Sequence, residues 1–204
     1  MSQERFELMY ERQAPWDIGR PQPAIVRLAE AGEVRGSVLD AGCGTGENAL
    51  CLASRGHECW GIDFVPAAIE RAKAKAAERG IDVHFEVGNA LALERLGRQF
   101  DTVVDCGLLH TFADDERPQY VQSLTDVLPA GGRLYILCFS EEEPGTQGPR
   151  RVSQQEIRDA FCGGWQIHRI EPTRFEAVPP PVGPNFTPGG PKAWLASIER
   201  IMRS

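Results

Sequence analysis

Five apolar runs rich in β-branched residues alternate with helical patterns along this chain, and that alternation restricts the fold more than any other feature. The runs are SVLDAG (37–42), ECWGIDF (58–64), VHFEVG (83–88), FDTVVDCG (100–107) and RLYILCF (133–139). Between the first two, a helical stretch over 47–55 stops at Gly56, suited to the left-handed conformation that closes a helix. The stretch 66–79 takes Pro66 in its first turn, sets Ala68, Ile69, Ala72 and Ala76 on one face, and ends at Gly80. A third helix is expected over 114–128, starting at Asp114 and aligning Tyr120, Val121, Leu124, Val127 and Leu128. Ser153 and Glu156 have the spacing of a capping box ahead of Ile157, Ala160 and Phe161. Repeated strand–helix–strand units predict a doubly wound α/β fold, a mostly parallel sheet with helices on both faces. Strands apolar throughout fit that burial. Folds of this kind bind ligands beyond the carboxyl ends of their strands, so the loops there are the place to look for function.

Two segments stand outside the alternation. Residues 1–31 read as a helical cap: an amphipathic helix with Phe6, Met9 and Tyr10, then APWDIGRPQP, then a helix around 24–29. Residues 141–204 carry the capping-box helix and EPTRFEAVPPPVGPNFTPGGP, too rich in proline and glycine for regular structure. The final KAWLASIERI fits a strand or a short helix equally on periodicity. With 37–140 as the core between them, 204 residues make one domain. A formal charge of −7 argues against a nucleic-acid partner, and the basic stretch 71–79 sits in one helix with Glu70 and Glu78. Six cysteines without CxxC spacing read as free thiols rather than a zinc site or disulfide frame. No signal-like or membrane-length apolar run occurs. These features lead us to expect a cytoplasmic protein, monomeric or weakly dimeric, with no membrane or nucleic-acid partner and no resident metal.

The most informative loop is Gly42-Cys43-Gly44-Thr45-Gly46, between the first strand and a helix. It departs from the dinucleotide fingerprint G-x-G-x-x-G, because its third glycine comes one residue early and Glu47 fills the expected slot. Asp40 precedes it. A carboxylate there would repel a pyrophosphate in a low-dielectric cleft and attract an ammonium or sulfonium. The loop therefore suits a cationic nucleoside cofactor without phosphate, which describes S-adenosylmethionine. On the second strand, Asp63 is placed to accept from both ribose hydroxyls, with Phe64 against the adenine. After the third strand, Asn89 offers an amide oxygen to the adenine amino group, and the Ala90 amide faces a ring nitrogen.

VLDAGCGTG, GID, VGNA, FDTVVDCGLLH and LPAGGRLYIL resemble the successive motifs of the class I S-adenosylmethionine-dependent methyltransferases. The resemblance spans 37–140 and, more loosely, the rest. It implies a seven-stranded sheet whose last strand, KAWLASIERI, runs antiparallel beside a strand over 165–176. It also implies that Asp40 and Gly42 face the methionine part, Asp63 the ribose, Asn89 and Ala90 the adenine, that Gly44 belongs to the cofactor-binding loop, and that the backbone of Cys106 lines the cofactor. Asn89 stands where the family more often has aspartate. APWDIGRPQP is similar to the segment preceding the domain in small-molecule thiol, halide, thiopurine and tellurite-resistance-type methyltransferases. There a tryptophan closes over the cofactor, which puts Trp16 near the sulfonium, an arrangement worth about 0.5–2 kcal/mol.

Methyl transfer to a soft nucleophile asks the protein mainly for positioning and exclusion of water. A phenol or hydroxyquinoline gains from a base, and His110 in CGLLHTF is the candidate, with an unperturbed pKa of about 6.5. The bland alternative is a loop histidine bonded to backbone. Asp114 and Asp115 read as helix-start residues, and His57, His84 and His168 have no partner in sequence. Asp101 and Asp105 alternate with apolar residues like strand-end groups, which disfavours metal-dependent catechol chemistry. The expected function is methylation of a small acceptor at sulfur, oxygen, nitrogen or a halide. A nucleoside-binding regulatory protein without turnover, or a nicotinamide oxidoreductase, are the competing classes.

Overall fold

The first strand, β1 (Val38–Ala41), lies inside a seven-stranded sheet and is buried at every position. The computed structural model describes residues 8–10, 14–178 and 184–202. The sheet has the order β3-β2-β1-β4-β5-β7-β6. Its other strands are β2 (Cys59–Asp63), β3 (His84–Val87), β4 (Thr102–Cys106), β5 (Arg133–Phe139), β6 (Trp165–Arg174) and β7 (Lys192–Arg200). β1 pairs in parallel with both β2 and β4, so the strand order reverses between β1 and β4 and their carboxyl ends open a crevice. Only β7 runs against the others, pairing antiparallel with β5 and β6. The helices are α1 (Pro23–Glu30), α2 (Glu47–Ala53), α3 (Pro66–Arg79), α4 (Glu116–Val127) and α5 (Gln154–Ala160), with 3-10 segments at Ala90–Leu96 and Leu109–Thr111.

Alternate side chains divide the core between the two sheet faces. Leu39, Ala41, Val103 and Ile136 pack toward Tyr120, Leu124 and Phe161 of α4 and the end of α5. Val38, Val104, Tyr135 and Leu137 pack toward Ala24, Ile25, Leu28 and Leu52 of α1 and α2. The expected elements are found with trimmed ends. KAWLASIERI is a strand, and the helix around 24–29 is α1. Residues 8–10 are helical, while Phe6 lies outside the described residues. The helix expected from Asp114 begins at Glu116 instead, because the Asp114 carboxylate pairs with Arg117 and Arg150 rather than capping.

The capping box forms: Ser153 Oγ accepts from Glu156 N at 3.1 Å, and Glu156 Oε2 accepts from Ser153 N at 2.7 Å. Burial alone would raise the Glu156 pKa. The Ser153 and Arg150 donors outweigh it and hold the group at about 2. A carboxyl depressed in the folded state adds stability above its unfolded pKa of about 4.3, and that contribution fades as pH falls toward 2. Glu156→Gln is therefore expected to cost about 1 kcal/mol at pH 7, allowing for screening of a partly exposed group, and almost nothing at pH 2. Urea unfolding at the two pH values checks this; an equal cost at both would remove the charge from the explanation.

Candidate active site

The crevice between β1 and β4 is organised by three buried aspartates. Asp63, at the end of β2, accepts from Gly44 N through Oδ2 at 3.0 Å and from Val65 N through Oδ1 at 2.9 Å, tying the glycine loop to the β2 turn. Burial raises its pKa and these amides pull it back. Asp40 lies behind the loop, 1% exposed, and its Oδ2 accepts from Ala49 N in the first turn of α2 at 3.2 Å. Gly46 is the N-cap of α2 and has no side chain to serve that helix end, so a carboxylate from β1 does. Asp40 Oδ1 has no hydrogen-bond partner among the described residues. Burial, with the nearby Asp105 and Asp63 charges, lifts its pKa to about 7 against the Ala49 N–H. Asp105 takes the N–H groups of Leu108 and Leu109 and the Tyr120 hydroxyl at 2.8–3.2 Å, folding the turn that delivers His110. Burial carries it to about 6.

Such a helix N-terminus receives the pyrophosphate in dinucleotide folds. Here Asp40 occupies it, and Glu47 adds charge in the first turn, balanced by Lys75 at 2.9 Å and Arg79 at 2.8 Å. The electrostatics of this end of the sheet oppose a phosphate and suit a cation.

A cavity of about 310 Å³ opens above these groups. Gly42, Gly44, Asp63, Phe64 and Cys106 line one side. Tyr10 and Trp16 roof it, Trp16 Nε1 donating to Tyr10 Oη at 3.2 Å with the rings edge to face. A Cβ on Gly44 would come within 2.8 Å of the Tyr10 hydroxyl, in a residue already at φ +54°, so this position admits only glycine without rearrangement. The strap from Ala14 to Gln22 is fastened by Thr45 Oγ1 to Asp17 Oδ1 at 3.0 Å. Reciprocal 2.9 Å bonds between the Gln22 amide side chain and the Glu176 backbone hold its far end. The same cavity has an aromatic wall of Phe139, Phe175 and Phe186. Phe139 lies 5.2 Å from Phe175, 5.4 Å from Phe186 and 5.2 Å from the His110 ring, centroid to centroid.

Of the residues picked out from sequence, Trp16, Gly42, Gly44, Asp63, Phe64, Cys106 and His110 converge on the cavity. Asp40 sits one layer behind it. Asn89 and Ala90 lie outside its lining. Asn89 Oδ1 accepts from Leu91 N at 2.9 Å as the cap of a 3-10 turn, and Ala90 is buried with its carbonyl bonded to Ser123 Oγ. His110, the candidate base, lies in the cavity lining with its ring bonded to backbone. Its Nδ1 accepts from Phe139 N at 3.1 Å, which assigns the ring proton to Nε2. Burial, then the Arg151 charge, lowers its pKa to about 3, so the ring is neutral and its remaining nitrogen is a donor. Nε2 has no hydrogen-bond partner among the described residues. Sequence reading missed Phe139, Phe175 and Phe186, and took Tyr10 only as a cap residue; the aromatic content of the proline-rich stretch was the available signal. Asp101 accepts from Ser37 N at 2.8 Å, a structural use.

A protein-family profile for a methyltransferase domain matches residues 38–132. A 2-heptyl-1-hydroxyquinolin-4(1H)-one methyltransferase of Mycobacteroides abscessus is 38% identical to this chain over 92% of its length and 86% of the relative's. The chain is a class I S-adenosylmethionine-dependent methyltransferase. A solved structure concerned with the conversion of a disulfide bond into a thioacetal group during echinomycin biosynthesis superposes with a TM-score of 0.88. It is 37% identical and covers all of this chain and 94% of its own. A probable thiol methyltransferase 2 of Arabidopsis thaliana is 28% identical over 93% of this chain and 80% of that protein. S-adenosylmethionine is the methyl donor of this methyltransferase, and the residues present suit it: the glycine loop and the Asp63 carboxylate line the cavity, and Asp40 lies behind them with one unpartnered oxygen. No helix among the described residues is long and apolar enough to cross a membrane.

Proposed function

We propose that this methyltransferase methylates an oxygen or sulfur atom of a small, planar, largely apolar acceptor. The observation that carries the reading is the aromatic wall of Phe139, Phe175 and Phe186 with the His110 Nε2–H beside it. The hydroxyquinolone named for the M. abscessus relative has that character. On the cofactor side, Asp63 would hold the ribose hydroxyls, Asp40 would balance the cationic methionine end, Phe64 would cover the adenine, and Trp16 would close the cleft. The bound cofactor supplies a methyl carbon activated by its sulfonium. The wall excludes water from the acceptor, and His110 donates to the acceptor's heteroatom rather than removing its proton. An acceptor acidic enough to arrive ionised, such as an N-hydroxy heterocycle or a thiol, meets that requirement. The free cysteines support a reducing, cytoplasmic setting, in which the single domain acts as a monomer or weak homodimer.

His110→Phe is expected to lower kcat/KM for a hydroxyquinolone ten- to a hundredfold, with S-adenosylhomocysteine affinity within twofold of wild type. His110→Gln, which retains a donor near Nε2, is expected to recover part of it. Steady-state kinetics across pH 5–9 tests the role: a wild-type limb near 6.5 that vanishes in His110→Gln would reinstate a base. A sulfur acceptor is favoured by the echinomycin-related structure and by the absence of any need for a base. Turnover on thiols and disulfides alone would select it.

A further inference from the structure

The aromatic wall is made by chain segments that the sheet alone does not hold. Phe139 ends β5, but Gly148 and Pro149 belong to the irregular crossing from β5 to α5, and Pro184 and Phe186 to the connection from β6 to β7. Long irregular connections in a compact domain are most often functional. Two charged side chains in the crossing loop fix this one.

Glu143 is 2% exposed although it carries a carboxylate. Its Oε1 accepts from Thr187 N at 3.0 Å and its Oε2 from Lys192 N at 2.8 Å, so one side chain staples both ends of the turn that follows Phe186. Burial alone would raise its pKa, but the Lys192 and Thr187 donors and the Arg151 charge hold it below the usual carboxylate range. Arg151 acts on the near side of the same loop. Its Nε donates to Glu143 O at 3.1 Å, Nη1 to Pro149 O at 2.6 Å, and Nη2 to the carbonyls of Pro144 and Gly145 at 3.3 Å. The loop is thus wound about one guanidinium, which also stands 5.3 Å from the Phe139 ring centre. Gly148, at φ +81°, rests against the wall, where a Cβ would lie 3.1 Å from Phe186 and 3.4 Å from Phe139.

We propose that Glu143 and Arg151 are positioning residues for acceptor selectivity, holding the loop and the Phe186 turn at the separation that admits a flat ring. The inference rests on the acceptor-side reading of the cavity given above. A lysine at 151 keeps the charge but not the planar fork, and a glutamine at 143 keeps the shape while turning an NH2 toward one of two backbone N–H groups.

The test compares wild type with E143Q and R151K on a panel of 8-hydroxyquinoline, a 2-alkyl-1-hydroxyquinolin-4-one, a phenol and a thiol. Expected for both variants are about a tenfold rise in acceptor KM, kcat within threefold, and S-adenosylhomocysteine affinity within twofold. The kcat/KM ratio between compact and bulky acceptors should shift at least fivefold. Amide hydrogen exchange of E143Q should rise in 184–192 and stay unchanged in 42–49. A uniform loss across the panel with weakened cofactor binding would make the pair merely structural and overturn the proposal, as would wild-type selectivity. If wild type turns over no panel member, the acceptor reading falls, and 8-hydroxyquinoline binding to the S-adenosylhomocysteine complex decides the wall. Tenfold weaker binding by E143Q supports it; equal binding overturns it.

Discussion

Asp63→Ala is expected to weaken S-adenosylhomocysteine binding by two to three orders of magnitude. The carboxylate is 7% exposed and lines the cavity, and hydrogen bonds to a charged acceptor contribute about 1.5–3 kcal/mol each. In the proposed role, losing two such bonds to a ribose, each in the lower part of that range, removes about 3–4 kcal/mol, and each 1.4 kcal/mol is tenfold. A second effect adds to it. The same oxygens accept from Gly44 and Val65 N–H groups, so alanine also releases the glycine loop from the end of β2. Asp63→Asn separates the contributions, since the amide keeps one acceptor for the loop and loses the charge. Calorimetric titration should place it between wild type and alanine. Alanine binding as tightly as wild type would remove Asp63 from the cofactor site.

The glycine-loop side of the cavity was legible in the sequence because its parts follow one another at successive strand ends. Asp40, the glycine loop, Asp63 and Cys106 come to one crevice through parallel pairing alone. The aromatic side was not legible. Phe175 and Phe186 lie in stretches without periodicity, and they reach Phe139 through the β5–β7–β6 arrangement and through Glu143, 44 residues before its partner Thr187. The last strand was ambiguous for a related reason: Ala193 to Ile198 are all buried, so no alternation marks them as strand. Asn89 makes a local bond that its sequence position allows, since an asparagine ahead of a turn caps the nearest free N–H. His110 lies in the cavity lining, and its hydrogen bonding is set by Phe139 N, a backbone group 29 residues away.

Replacing Asp40 with asparagine should stabilise the empty protein above neutral pH while weakening its hold on the cofactor. The two effects have one cause. A buried carboxyl with a folded pKa of about 7, against about 3.9 unfolded, binds a proton more tightly when folded. Folding stability therefore declines as pH rises from about 4 to 7, as the ionised form becomes a charge with one unpartnered oxygen, and levels off above 7. Asparagine removes that dependence and still accepts from Ala49 N. A cationic methionine end bound in the cavity in front of Asp40 would reverse the balance by favouring the ionised form. Cofactor affinity should then rise with pH up to about 7, with proton release on binding. Asp40→Asn should bind S-adenosylmethionine about ten- to a hundredfold more weakly at pH 8 and show neither the pH dependence nor the released proton. Titrations in two buffers of different ionisation enthalpy, paired with thermal unfolding at pH 5 and 8, measure both halves. Greater stability of the variant without loss of affinity would mean that Asp40 serves only as the cap of α2 and that the sign of its charge plays no part in choosing the ligand.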